Sequence, residues 1–108
     1  MITVRFRSSG VCLTGFSVRG HAGLADAGQD IVCAAVSSAA LMTANTLTEI
    51  CALACEVASD DGYLSVDLPQ EDSQSAQDVL RGFSLHMREL SRAYPKQIKV
   101  IYGGKHNA

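Results

Sequence analysis

Residues 31–54 read IVCAAVSSAALMTANTLTEICALA, with neither proline nor glycine among them. Alanine, leucine and methionine dominate this run and all favour helix, so it predicts a long helix from Ile31 to about Ala54. Asp30 stands just before it, where an aspartate accepts hydrogen bonds from the free amides of a first turn, and is read as the N-cap. Ile31, Ala34, Val36, Ala40, Leu41, Leu47 and Ile50 extend most of the way round such a helix. That is the pattern of a helix buried on more than one face, and it makes this the central helix of the domain.

Working outward, Ile2, Val4 and Phe6 alternate with Thr3, Arg5 and Arg7, the period of a half-buried strand. SSG at 8–10 is a turn. Val11 to Arg19 returns as a second strand whose apolar phase slips across Gly15, which predicts a β-bulge there. Arg5 and Arg7 share one face of the first strand and are read as solvated residues rather than substrate contacts. After the helix, Cys55–Ala58 and Tyr63–Leu68 flank DDG at 60–62, a hairpin signal. PQEDSQS at 69–75 is a polar connection. Ala76, Val79, Leu80, Phe83, Met87, Leu90 and Tyr94 then keep helical spacing until Pro95 ends the run, and Ile98 to Tyr102 alternates as a last strand. The order β-β-α-β-β-α-β predicts an α+β fold of two helices on a mostly antiparallel sheet, one domain over residues 1–108.

Hydrophobic residues at 47% and charged residues at 19% fit an ordinary folded domain. Net charge is -2 and the nine Lys and Arg form no single run, so no direct nucleic-acid partner is expected. The apolar stretch from Ile31 to Ala44 falls short of the roughly 20 residues that cross a bilayer, and the N-terminus carries arginines where a signal peptide needs an apolar core. A cytoplasmic protein without a membrane partner is expected. In a reducing compartment Cys12, Cys33, Cys51 and Cys55 are free thiols rather than staples. Cys51 and Cys55 stand at helical i, i+4 spacing, but a zinc site needs about four ligands and no second pair is near in sequence, so no metal is expected. No GxGxxG and no GK[ST] is present, and no cofactor is implied. His86, on the flank of the second helix, and His106, in the tail, read as surface residues.

The chemistry is concentrated in GHAGLADAGQDIVCAAVSS at 20–38. With Asp30 as cap, Cys33 lies in the first helical turn, where the partial positive charge of the helix terminus favours a thiolate. His21 sits in a segment with Gly20, Gly23 and Gly28 that can bend back over the helix start, bringing the imidazole to the sulfur as general base. Ser37, one turn beyond Cys33, shares its face. First-turn amides are candidates for an oxyanion hole. Structural readings stand beside these: Cys33 as a core thiol, His21 as a loop residue, Asp30 as a plain cap and Ser37 as a small residue at a helix crossing.

Gly20-His21-Ala22-Gly23, then Gly28, then Asp30 through Ser37 resembles the signature of the ribosomal-processing cysteine protease family, Prp, also called YsxB-like. The resemblance covers the whole chain, in length, opening hairpin and helix arrangement. It implies a homodimeric cysteine endopeptidase that removes the N-terminal extension of a large-subunit ribosomal protein, the twenty-seventh of that series. It further implies Cys33 as nucleophile and His21 as general base, with Gly20 letting the loop hinge, Asp30 and Ser37 supporting the site, and Gly23 and Gly28 in a substrate loop. Such a loop is expected to close on substrate and assemble the dyad only then. Two rivals remain: a non-catalytic ribosome-assembly adaptor that binds the same tail, and a thiol-transfer protein using Cys33 with Cys51 or Cys55. The second is disfavoured, since Cys51 lies about 27 Å along the helix from Cys33.

Overall fold

The computed structural model describes residues 1–20 and 27–103, with side chains for 1–20 and 31–103. Strands β1 (Ile2–Ser9) and β2 (Cys12–Arg19) form the opening hairpin, turning at Gly10, whose φ of 61° lies in the left-handed region. Helix α1 (Ala27–Asn45) follows, then the hairpin β3 (Glu56–Asp60) and β4 (Tyr63–Asp67), helix α2 (Gln77–Ala93) and strand β5 (Ile98–Tyr102). The expected order is therefore present. The five strands lie side by side as β3-β4-β2-β1-β5, antiparallel except where β5 runs parallel to β1.

Alternation along the strands decides the layers. Ile2, Val4, Phe6, Phe16, Val18, Val66 and Ile98 are buried in one cluster with Val32, Val36, Ala40 and Leu47 of the α1 segment and Leu80, Phe83 and Met87 of α2. Both helices thus cover one face of the sheet. Phe16 is fully buried, and its ring lies 4.6 Å from that of Phe83, centroid to centroid.

Four expectations are corrected. The bulge falls at Thr14, since Arg7 pairs with Gly15 and Ser8 with Leu13. Gly15 is needed for a different reason, because a Cβ there would strike the Val66 carbonyl oxygen. Arg7 is buried rather than solvated: its Nε donates to Asp67 Oδ1 at 2.7 Å and its Nη2 to the Phe16 carbonyl at 2.9 Å and Ser65 Oγ at 3.1 Å. The β2–β4 register sets those acceptors opposite it, which alternation in β1 alone does not reveal.

The third correction concerns α1, which buries a single stripe. Ile31, Leu41, Met42 and Ile50 are exposed. The α-helix ends at Asn45 and passes into a π-helical turn, Thr46–Ile50, rather than running to Ala54. Thr46 and Thr48 bond back through Oγ1 to the carbonyls of Met42 and Ala44, which competes with regular helix pairing. Ala52 then adopts a φ of 56°, and the Leu53 amide donates to the Leu47 carbonyl at 3.0 Å, a return bond that closes the helix end around a left-handed residue. Finally, Ile31–Ile50 is long and apolar enough to cross a membrane by length and composition, against the shorter reach expected. In the fold its buried stripe is that of a core helix.

Candidate active site

Cys33 projects from α1 and is half-buried, its side chain packed against the core. The helix begins at Ala27, so Asp30 lies inside its first turn and is not the N-cap, and Gly28 belongs to the helix rather than to a loop. No proline blocks the earlier start, and one glycine costs a helix only about 1 kcal/mol. Counted from Ala27, Cys33 is the seventh residue. Its amide is committed to the ladder toward residue 29, and the dipole effect fades beyond the first turn. The helix-terminus argument for a thiolate, and first-turn amides as an oxyanion hole, therefore do not follow from this backbone.

Ser37, one turn on, is exposed and borders a cleft with Leu41 of α1, Val18 of β2, and Ser59, Tyr63 and Leu64 of the β3–β4 hairpin. Gly20 ends β2 at the same side of the sheet. Its amide donates to the Gly62 carbonyl at 2.9 Å, its φ is 109°, and a Cβ would meet the Met1 carbonyl oxygen. Glycine is required here by close approach and left-handed backbone, a reason different from a hinge. Arg19, just before it, lies over the Tyr63 ring, 4.4 Å from its centroid. The chain is thus anchored up to the residue preceding His21. His21, Gly23 and most of the loop expected to close lie outside the described residues, as does His106. His86 is exposed, as expected.

Sequence reasoning missed the cleft. The DDG turn was legible, but nothing in the sequence placed it against Gly20 and Ser37. Cys51 and Cys55 do not share a helix face, because the helical run has stopped before Cys51. The Cys55 thiol is pushed up in pKa by burial first, then by the Asp72 carboxylate and by Cys51. Among the described residues no group of three or more His, Cys, Asp or Glu is placed to hold a metal ion.

The small α+β frame presents a half-buried, helix-borne thiol, Cys33, one turn before Ser37, which borders a cleft, and a cysteine thiol is the nucleophile of the thiol-enzyme class. Residues 1–99 match the model of the family described as cysteine protease Prp. The chain belongs to that family and is a cysteine peptidase. It is 28% identical to the ribosomal processing cysteine protease Prp of Bacillus subtilis (strain 168) over 104 residues, covering 91% of this chain and 92% of that one. Among solved structures, a Streptococcus mutans protein superposes with a TM-score of 0.82 at 26% identity, covering 97% of this chain and 96% of that one. The Prp protease of S. aureus, solved in complex with a substrate peptide, superposes with a TM-score of 0.85 at 23% identity, covering 95% and 100%.

Proposed function

We propose that residues 1–108 form a single endopeptidase domain that removes the N-terminal extension of a large-subunit ribosomal protein, the twenty-seventh of that series, in the cytoplasm. The observation that carries the reading is the family match together with Cys33 standing one turn from a cleft open to a peptide. In this mechanism His21 takes the proton from Cys33 Sγ, and the sulfur attacks the scissile carbonyl carbon. The tetrahedral adduct collapses as the imidazolium protonates the leaving amine, leaving a thioester on Cys33. Water, deprotonated by His21, then hydrolyses the thioester and frees the thiol. Gly20 supports this role by fixing the chain one residue before the base, and Ser37 by lining the cleft on the nucleophile's side. Asp30 and Gly28 are assigned to the backbone of the helix that presents Cys33. Gly23 is assigned to the substrate loop.

The working form is assigned as a homodimer. Ile31 and Met42 of α1 and Ile50 of the turn after it, exposed at 65%, 67% and 79%, form an outward apolar surface that a second copy would cover. Light scattering on the wild type and on Met42→Glu tests this: a dimer that the substitution splits is expected, and a wild-type monomer at micromolar concentration would remove the assignment.

The activity test is a fluorogenic peptide spanning the extension boundary, incubated with wild type and Cys33→Ala. Wild type cleaves it, and the variant falls by about 10³-fold or more with unchanged far-UV circular dichroism. Binding by both forms without cleavage by either would favour the adaptor.

A further inference from the structure

The main chain of β5 has a free side. The Ile2 amide donates to the Gln97 carbonyl at 2.8 Å and the Gly103 amide to the Phe6 carbonyl at 3.2 Å. In the β1–β5 register these bonds assign the odd residues of β5 to the ladder with β1, as the even spacing of a parallel pair requires. The N–H and C=O groups of Val100 and Tyr102 therefore point away from the sheet, and no described strand pairs with them. Ile98 is occupied locally: its amide donates to the Tyr94 carbonyl and its carbonyl accepts from Ser91 Oγ, both at 3.1 Å.

Helix α2 walls this edge. Ser84 and Ser91 hold the helix over β5 by hydrogen bonds to the Tyr102 hydroxyl and the Ile98 carbonyl. Arg81, Leu85, Arg88 and Arg92, at intervals of four, three and four residues, form the neighbouring stripe, and all four are exposed. They border two adjoining hollows of about 620 and 570 Å³ that share Leu85, Arg88 and Tyr102, and Val100 lies in the smaller one.

The charge of the chain is divided in the same way. Residues 1–19 and 81–103 hold eight of the nine Lys and Arg and, of the eleven Asp and Glu, Glu89 alone. Residues 20–80 hold the other ten acids and no Lys or Arg. Arg92 donates to Glu89 at 3.3 Å, an exposed pair of little net strength, and Asp78 borders the larger hollow. On the uncovered face of the sheet, Lys99 of β5 and Arg5 of β1 are exposed at diagonal positions. Cations thus stand on both sides of the free edge.

We infer that this groove docks an extended acidic segment of a partner protein. The segment adds a strand beyond β5, pairing with the main chain of Val100 and Tyr102. Its side chains on the helix side set carboxylates against Arg88 and Arg92 over the apolar floor of Leu85 and Tyr102, and those on the other face lie beside Lys99. Single-stranded RNA fits less well, since Leu85, Val100 and a free strand edge offer nothing to a phosphate chain, which Asp78 and Glu89 repel. The groove lies four strand spacings, about 19 Å, from β3, so a docked partner leaves the cleft that Ser37 borders open. Docking there is independent of which residue attacks the peptide bond.

The test is fluorescence anisotropy with the full-length protein and short labelled peptides alternating Glu with Val. Controls are an alternating Lys–Val peptide, the Glu–Val composition in blocks, and an oligouridylate of equal length. The Glu–Val alternation binds about tenfold or more tighter than each control, and more weakly as salt rises. Arg88→Glu with Arg92→Glu lowers that affinity by a similar factor, with far-UV circular dichroism and denaturation midpoint unchanged. N-methylating one alternate set of peptide amides abolishes binding, and N-methylating the other leaves it unchanged, a readout that needs no altered protein. Wild type and the double variant cleave the fluorogenic peptide of the activity test at the same rate. Equal binding of blocked and alternating peptides, tighter binding of the oligouridylate, or an affinity indifferent to the two arginines would overturn the proposal. Loss of cleavage in the double variant alone would overturn it too, because the groove would then belong to the cleavage site. The full binding pattern without cleavage by either protein would keep the groove and remove the protease.

Discussion

The two edges of the sheet are built to opposite ends. At one, β5 pairs in parallel with β1 and is backed by α2, with Tyr102 stacked on Phe6 and its hydroxyl hydrogen-bonded to Ser84. At the other, β3 is five residues long and exposed throughout. Exposed edges invite pairing with other chains, and β3 is the strand of this sheet whose residues are all exposed. The aromatic rings of the core gather on the β1, β5 and α2 side of the molecule, away from exposed β3.

That division breaks most easily at the core. Phe16→Ala removes a fully buried ring that meets both Phe6 and Phe83, and chemical denaturation is expected to show a loss of about 3–5 kcal/mol. Val57→Ala, at 48% exposure in the open edge, should shift stability by less than ~0.5 kcal/mol. The two losses coming out alike would mean that β3 is covered in solution, by a second copy or another partner.

A smaller change sharpens the comparison at the end of α1. Ala52 holds a left-handed backbone with a φ of 56°, a conformation that costs a residue bearing a Cβ roughly 1–2 kcal/mol. Ala52→Gly relieves it and is expected to raise the denaturation midpoint, with a net gain of about 1 kcal/mol or less once the greater freedom of glycine in the unfolded chain is counted. A loss of stability instead would mean that the Ala52 methyl makes a contact worth more than the strain.

The same position explains what the sequence could and could not tell. Element order was legible because each strand and α2 carries its own period. Ile98–Tyr102 and the DDG hairpin are local signals that tertiary contacts left alone. The end of the helical run was not legible, because a left-handed helix stop normally announces itself with glycine and here Ala52 takes the place. Its start was missed for the converse reason, as Gly28 and Asp30 are residues that usually end or cap a helix and here lie within it. Arg7 was misread because its partners arrive from β4, sixty residues away along the chain. Of the candidate site, the placing of Cys33 and Ser37 one turn apart follows from helical spacing, but the cleft that Ser37 borders depends on the β3–β4 hairpin lying beside α1, which no periodicity encodes.

The smallest effect concerns Cys55, which joins the end of α1 to the open edge. Burial, then Asp72 and Cys51, hold its thiol above the usual range. Below about pH 8.5 the thiol is protonated whether the chain is folded or not, and stability gains nothing from pH there. As pH rises further the unfolded chain ionises first, because its thiol is unperturbed, and it then binds fewer protons than the folded state. Stability therefore falls with rising pH through the folded value. Lysines and tyrosines titrate in the same range, so the informative quantity is the difference between wild type and Cys55→Ser. Denaturation midpoints measured from neutral to alkaline pH should fall more steeply for wild type. Parallel curves would show that Cys55 is solvated in both states, and that the open side of the molecule extends back to the first residue before β3.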